Sequence, residues 1–521
     1  MTQFLDSIAY GQWVLHALVL LPLIGVVPVL LGSESRAKHT ALVVTTLEFL
    51  VSLGLWWALQ PGVGTMQLLS DTPWIPGWGI SYRVGIDGIS LVMVLLTTLL
   101  MPLSVLASWR YITRQERGFY ACMLTLLTGM VGVFIALDLF VFYVFFEVML
   151  VPMYFIIGIW GGANRLYAAI KFFIYTMAGS LLMLVAIVVM VWKIQSVTGI
   201  LSFSYDHLLE HAGVLGSTAP WLFAAFAIAF AIKVPIFPFH TWLPDAHVEA
   251  PTAGSVLLAG VMLKIGTYGF LRFAVPFFPQ VALSPGVSRL IVVLAVIGII
   301  YGALVAMVQP DFKKLVAYSS VSHLGFVMLG IWGGTVESVQ GSLMVMISHG
   351  FSTGALFLLI GMLYERRHSR LIADYGGIAR VVPVFSLMLT VVALSSIGLP
   401  GLNGFVGEFL VLLGSFAAWP WATGIATTGV IFAAAYLLWA LQRLIFNPLD
   451  NPENERLTDL TRREVVVMAP LLFGIVWLGL YPAPVLRRME AATARYLEVA
   501  RQAGPAMPGQ ARLGATVEVR P

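Results

Sequence analysis

Apolar runs of about twenty residues recur along almost the whole chain, and they limit its fold more than any other feature. A helix needs about 20 apolar residues to cross the roughly 30 Å hydrocarbon layer of a bilayer. Hydrophobic residues make up 59% of the 521 residues and charged residues only 10%, and the mean hydropathy of +0.92 is far above that of soluble domains. The sequence therefore predicts an all-α integral membrane protein.

Charged, Pro-rich and Gly-rich interruptions divide the chain into fourteen predicted spans. The first apolar run has neither the basic flank nor the cleavage site of a signal peptide, so it counts as a span. Residues 66–86 predict an external β-hairpin, and the tail from about Gly504 has the composition of a disordered end. The predicted spans lie near 13–32, 41–60, 87–109, 119–137, 139–160, 167–193, 219–240, 251–274, 286–308, 313–333, 338–363, 383–412, 421–444 and 464–486.

The distribution of basic residues orients these spans. Lys and Arg lie mainly in the odd-numbered loops, whereas the even-numbered loops and their flanks hold only Arg83, Lys193, Arg272 and Arg289. Cytoplasmic loops carry an excess of Lys and Arg. We therefore expect the odd loops to be cytoplasmic and both termini to lie outside, with the basic C-terminal tail as the one exception to the pattern.

Titratable residues occur inside the predicted spans, where each charge costs roughly 2.5–3.5 kcal/mol to insert. An inert scaffold does not need them, so they indicate a path for protons or ions. Each also has a purely structural interpretation: Lys233 as a snorkelling lysine, Glu147 as a hydrogen-bonded acid, and the histidines as packing residues. Glu48 fits the functional and the structural interpretation equally well and is left outside the predicted site. The residues concerned are Glu48, Glu147, Lys233, Lys264, His323, His349 and Glu408.

Two of the predicted spans contain helix breaks, at Lys233-Val-Pro235 in the seventh and at residues 395–408 in the twelfth. Backbone groups freed by such breaks must face protein or water. Because the breaks are five spans apart and five is odd, they predict two inverted repeats, spans 4–8 and spans 9–13. The predicted organisation has four parts. An N-terminal part of three helices with the hairpin occupies 1–118, two repeats that each form a half-channel occupy 119–274 and 286–444, and the last helix with its tail occupies 464–521.

Other motifs do not predict a catalytic or metal site. Residues 350–354 match G-x-S-x-G, but they lie inside an apolar span and predict a helix-packing surface. No Gly-Lys dipeptide occurs, which excludes a P-loop. The histidines and acids of 240–249 fit no common metal-ligand spacing and predict an ordered turn between spans 7 and 8. The single Cys122 excludes a cysteine-held iron–sulfur cluster within this chain.

A resemblance to a known family is carried by KVPIFPFHTWLPDAHVEAPTAGSVLLAGVMLKIGTYGFLRF, residues 233–273. This stretch closely resembles the antiporter-like proton-channel subunits of respiratory complex I, in particular the M type of the bacterial NADH:quinone oxidoreductases. QPDFKKLVAYSSVSHLGFVMLG (309–330), GIDGIS (85–90) and GLPGLNGFVGEF (398–409) fit the same subunits. The resemblance covers nearly the whole chain, and the fold that it implies has fourteen helices, two inverted five-helix repeats and broken seventh and twelfth helices.

The resemblance also implies a role for each residue of the predicted site. Sibling chains carry a lysine where Glu408 stands, so this glutamate assigns the chain to the M type. The implied roles in proton translocation are a charge pair of Glu147 and Lys233, a central relay lysine at Lys264, an extension of the hydrophilic axis at His323 and His349, and a terminal titrating group at Glu408.

The function implied is that of a non-redox, H⁺-translocating subunit of NADH:quinone oxidoreductase in a bacterial inner membrane, with both termini periplasmic. This chain is expected to hold no cofactor and no metal; NADH, FMN, iron–sulfur clusters and quinone belong to partner subunits. The expected partners are the other membrane subunits, including two sibling antiporter-like chains, and the lipid bilayer, with no nucleic acid. The alternatives are a subunit of a multisubunit Na⁺/H⁺ antiporter or of a ferredoxin- or hydrogenase-linked relative, a stand-alone solute transporter, and a structural anchor.

Overall fold

A computed structural model describes residues 1–505, so residues 506–521 of the predicted disordered tail lie outside the described part. Within residues 1–505 thirteen helices are long and apolar enough to cross a membrane, which confirms the all-α membrane fold. These helices are Tyr10–Leu31, Glu34–Ala58, Gly88–Ala107, Glu116–Ile135, Leu139–Trp160, Arg165–Thr198, Ala212–Lys233, Thr252–Phe277, Pro285–Met307, Phe312–Ile331, Val336–Arg367, Pro420–Phe446 and Arg462–Leu480.

Shorter helices connect or flank these spans. Two of them, Pro383–Ile397 and Asn403–Phe416, are apolar and together occupy the predicted twelfth span. The sequence predicts neither Thr2–Ser7 at the start nor the amphipathic helix Ala483–Ala503 that follows the last span. The remaining short helical segments are Pro76–Trp78, Tyr205–Glu210, Trp242–Glu249, Pro279–Ala282, Ile372–Asp374, Ile378–Arg380 and Pro452–Glu455.

The break in the twelfth span lies where the sequence predicts it, ahead of Glu408. The helix Pro383–Ile397 ends at Gly398, and the next begins at Asn403. Gly398 and Gly401 have φ values of +83° and +92°. These left-handed conformations are accessible to glycine without the steric cost that a Cβ would add, so the glycines allow the chain to interrupt the helix inside an apolar segment.

The seventh span ends earlier than residue 240. Its helix stops at Lys233, two residues before Pro235, which cannot supply the backbone donor that a further turn would need. The sequence predicts a turn between spans 7 and 8, whereas the structure contains the helix Trp242–Glu249. That prediction is wrong in this part because Pro244 falls in the first helical turn, where proline is tolerated.

The predicted hairpin is confirmed. Strands Gln67–Ile75 and Ile80–Ile86 pair antiparallel, with Gln67 opposite Ile86. The segment Pro76–Trp78 joins them and ends at Gly79, whose φ is +65°. A turn residue with positive φ suits glycine, so the Pro-Gly-Trp-Gly sequence has a direct conformational reason.

The eighth span, Thr252–Phe277, differs from the regular helix that the sequence predicts. The central window of this helix is completely buried, and the helix contains two π-helical turns, Leu258–Met262 and Phe270–Ala274. Such turns occur mostly as single insertions in α-helices and often at functional sites. Lys264 lies in the α-helical part between them.

The described chain forms two compact units. The first comprises Met1–Val234, Glu249–Ala282 and Arg487–Tyr496, and the second comprises Pro235–Val248, Leu283–Leu486 and the chain from Leu497. Aromatic rings fill much of the first core; the centroids of Phe142 and Phe273, for example, are 4.3 Å apart. The predicted arrangement into two inverted repeats stays a prediction.

Candidate functional site

Lys233 is the last residue of the helix Ala219–Lys233 and is only 1% exposed. Its Nζ lies 4.9 Å from the ring centroid of Phe146 and 5.8 Å from that of Phe172. Among residues 1–505 this Nζ has no hydrogen-bond acceptor. The negative end of the helix dipole and the faces of the two rings both favour a cation here, so the local fold accommodates an ammonium group without a direct counter-ion.

Glu147 lies near the end of the helix Leu139–Val148, next to Phe146. Its carboxylate interacts electrostatically with the Lys233 ammonium, and the Ser180 hydroxyl is within hydrogen-bonding reach of it. No direct ion pair joins Glu147 and Lys233 in the described part of the chain, where Glu147 Oε1 has no hydrogen-bond partner. The two charges therefore influence each other through the protein interior and not through a shared hydrogen bond.

Lys264 is completely buried, and its Nζ donates to the carbonyl of Ala259 in the first π-helical turn. Gly266 brings this helix close to the end of the Lys233 helix. A Cβ at Gly266 would lie 2.8 Å from the carbonyl oxygen of Phe230 and 2.8 Å from the backbone nitrogen of Val234. Only glycine permits that approach, which places the two lysines on adjoining segments of the first unit.

The second unit contains a cluster of His323, His349 and Glu408. His323 Nδ1 and Glu408 Oε1 are 3.0 Å apart, a hydrogen-bonding distance. The rings of His323 and His349 meet edge to face with centroids 5.7 Å apart. All three side chains are buried, so an acid and two imidazoles stand together in the interior of the apolar bundle.

A small polar cavity adjoins this cluster, with space for about one water molecule. Ser348 and Ser352 lie one turn apart on the helix that carries His349, and Ser395 and Ser396 immediately precede the break at Gly398. These hydroxyls are not among the residues predicted from sequence, although serines at helical spacing beside a buried histidine are a usable signal. The lining residues are His323, Val345, Ser348, His349, Ser352, Ser395, Ser396, Gly404 and Glu408.

The structure thus distributes the predicted site over two clusters. Glu147, Lys233 and Lys264 belong to the first unit, and His323, His349 and Glu408 belong to the second. Tyr436, which the sequence analysis did not select, is buried close enough to Glu408 to feel its charge.

Two further features bear on the site. Glu48 is completely buried, and neither of its carboxylate oxygens has a hydrogen-bond partner within residues 1–505. In the same described part of the chain no three His, Cys, Asp or Glu side chains are grouped so as to hold a metal ion.

Comparison with known proteins identifies related sequences over nearly the whole chain. Residues 136–433 match the family described as "NADH:quinone oxidoreductase/Mrp antiporter, TM", and residues 18–133 match "NADH-ubiquinone oxidoreductase chain 4, amino terminus". NADH-quinone oxidoreductase subunit M of Rhodobacter capsulatus is 46% identical over 87% of this chain and 88% of its own length. The same subunit of Escherichia coli K12 is 43% identical over 87% of this chain and 91% of its own.

A solved structure has the same fold. A chain of respiratory complex I from Thermus thermophilus with bound NADH superposes with a TM-score of 0.85 at 33% sequence identity. The match covers 93% of this chain and 99% of that one.

Proposed function

The chain belongs to the NADH:quinone oxidoreductase/Mrp antiporter family, and from this premise we propose that it is the proton-translocating M-type membrane subunit of an NADH:quinone oxidoreductase. The observation that carries the proposal is a set of six titratable side chains inside the apolar bundle, of which five are buried and Glu147 is half-buried. A structural anchor would gain nothing from these groups, each of which opposes insertion into the membrane. The names of the related chains support the same assignment.

In the first unit, we expect Lys233 to accept and release a proton under the control of Glu147. At a separation of roughly 6 Å and an effective dielectric constant of about 20, two unit charges interact by on the order of 3 kcal/mol. A change in the distance between Glu147 and Lys233 therefore changes the protonation equilibrium of Lys233 by about a hundredfold. We expect water to enter transiently at the helix break that follows Lys233 and to carry the proton to Lys264.

In the second unit, the direct contact between His323 Nδ1 and Glu408 Oε1 supports proton transfer between these two groups. A water in the adjoining cavity and the hydroxyls of Ser348 and Ser352 would extend the path to His349. The proposed order of the relay is Lys233, Lys264, the two histidines and then Glu408.

The wider setting follows from the same assignment. We propose that the chain lies in a bacterial inner membrane with both termini periplasmic, and that spans 4–8 and 9–13 are inverted repeats. Its partners would be the other membrane subunits, including two sibling antiporter-like chains. Electron transfer from NADH to quinone would take place in subunits that hold FMN and iron–sulfur clusters, and a conformational signal from a neighbouring subunit would drive the Glu147–Lys233 interaction.

The test is proton pumping by the assembled complex with Lys233→Ala or Glu147→Gln. We expect fewer protons moved per electron, with electron transfer from NADH to an artificial acceptor retained. Lys193→Ala is the matched control, because Lys193 lies at the end of a span and is only partly buried. Pumping per electron that stays at the wild-type value in both site variants would refute the proposal, and ion exchange that persists without any redox subunit would favour an antiporter.

A further inference from the structure

A second charged cluster lies in the first unit, farther along the helix that carries Lys264. Arg272 follows Lys264 by two helical turns, roughly 12 Å along the axis. Its Nη2 is 2.7 Å from Asp87 Oδ2, and the two side chains are only 11% and 2% exposed. Asp87 and Arg272 adjoin the second and eighth loops, so the cluster lies near the even-loop end of this unit.

Tyr268 connects this ion pair with the Lys264 helix, one turn from each of the two basic residues. Its hydroxyl donates to the carbonyl of Phe134 at 3.0 Å and accepts from Arg272 Nε at 3.2 Å, and the Ser90 hydroxyl, 3.1 Å away, then also donates to it. A phenol has a single hydrogen. Because that hydrogen is directed at a backbone carbonyl, Tyr268 does not offer a proton a continuous hydrogen-bonded route from Lys264 outward.

Asp87 holds the guanidinium in place. Besides the ion pair, its Oδ1 accepts the backbone N–H of Ser90 at 2.9 Å and caps the helix Gly88–Ala107. The next residue, Gly88, packs directly under the backbone of Arg488, whose carbonyl oxygen would be 1.9 Å from any added Cβ. The C-terminal amphipathic helix therefore packs against the start of the helix that Asp87 caps.

The other ionisable groups around Arg272 do not neutralise it. Tyr205, outside the spans, also lies near the guanidinium, and burial raises its pKa to about 12 even though the Arg272 charge acts in the opposite direction. Asp206 interacts with Arg83, at 2.5 Å between Oδ2 and Nη2. Asp87 is thus the only acid that contacts Arg272 among the ion pairs of the described residues.

We propose that Arg272, fixed by Asp87 and Tyr268, is an electrostatic barrier that prevents protons on Lys264 from leaking out through the even-loop end of the first unit. This proposal rests on the proposed function, since it requires Lys264 to carry protons. A guanidinium does not lose its proton in proteins, and fixed arginine charges exclude protons and cations from pores. A purely mechanical clamp would need the hydrogen bonds but would be indifferent to the sign of the charge.

The test is passive proton flux through the purified complex in sealed vesicles, without NADH, under an imposed pH gradient and with the membrane potential clamped. Arg272→Gln is expected to raise the flux on the order of tenfold. Arg272→Lys retains the charge and is expected to keep the flux at the wild-type level. Asp87→Asn loses the same ion pair but leaves the positive charge uncompensated, so its flux is expected to stay at or below the wild-type value.

Arg289→Gln is the matched control, because Arg289 is an exposed arginine in the first turns of the helix Pro285–Met307, which follows the eighth loop. A wild-type flux in Arg272→Gln would overturn the proposed barrier. An equal leak in Asp87→Asn and Arg272→Gln would also overturn it, because a mechanical clamp would then explain the result. Adding Lys264→Met to Arg272→Gln is expected to abolish the leak, and a leak that persists would also overturn it. Since electron transfer is idle in this assay, its result is independent of the redox-driven pumping that tests the proposed function.

Discussion

Gly266→Ala tests whether close packing of two helices positions Lys264. A Cβ at this residue would lie 2.7 Å from Val234 Cγ2 and 2.8 Å from both the Phe230 carbonyl oxygen and the Val234 nitrogen. Ordinary van der Waals contacts of a Cβ begin at 3.4 Å. Two of the three neighbours are backbone atoms, and each would have to move by about 0.6 Å to reach that distance. Overpacking of this kind typically costs about 1–3 kcal/mol.

The assay is thermal unfolding of the purified complex together with protons pumped per electron. Gly424→Ala is the control, because Gly424 lies inside the helix Pro420–Leu441 and a Cβ there meets nothing within 4 Å. At such a site alanine favours the helix by about 0.5–1 kcal/mol. We expect Gly266→Ala to lower both stability and pumping, and Gly424→Ala to preserve both. Equal stability and normal pumping in the two variants would refute the packing argument.

Two further predictions concern buried charges. Arg366 forms two hydrogen bonds with Glu464, at 2.8 and 2.7 Å, so Arg366→Ala should cost about 3 kcal/mol and lower the melting temperature. Arg367→Ala should cost less than about 1 kcal/mol, because its partner Glu453 is 63% exposed; similar losses in the two variants would contradict this. Glu48→Met removes an unpaired buried acid and should stabilise the complex by about 1–3 kcal/mol, whereas a lower melting temperature would show that Glu48 is needed.

Much of the fold follows from sequence because the bilayer leaves few choices. Span lengths are set by membrane thickness, and the break before Glu408 follows from Gly398, Pro400 and Gly401. The end of the seventh helix was harder to locate, because Pro235 lies two residues beyond its last helical residue and the apolar character continues past it. The amphipathic helix Ala483–Ala503 was missed because its composition is polar overall, although its apolar residues recur with helical spacing.

The chemistry of the site is only partly visible in sequence. Lys233, Lys264 and Glu408 are conspicuous because charges are rare in apolar runs, and the structure confirms that they are buried. The π-helical turns around Lys264 leave no signal in residue type. Arg272 looked like an ordinary loop-flanking arginine, because its partner Asp87 is 185 residues away in the chain and only the folded structure brings the two together.

The most direct test of the relay is the number of protons pumped per electron in a complex that carries Glu408→Gln. The amide keeps the shape of the side chain but cannot exchange a proton with His323. With NADH oxidation by an artificial acceptor as the measure of an intact complex, we expect fewer protons per electron than in the wild type. A wild-type ratio in Glu408→Gln would contradict a path that ends at this residue.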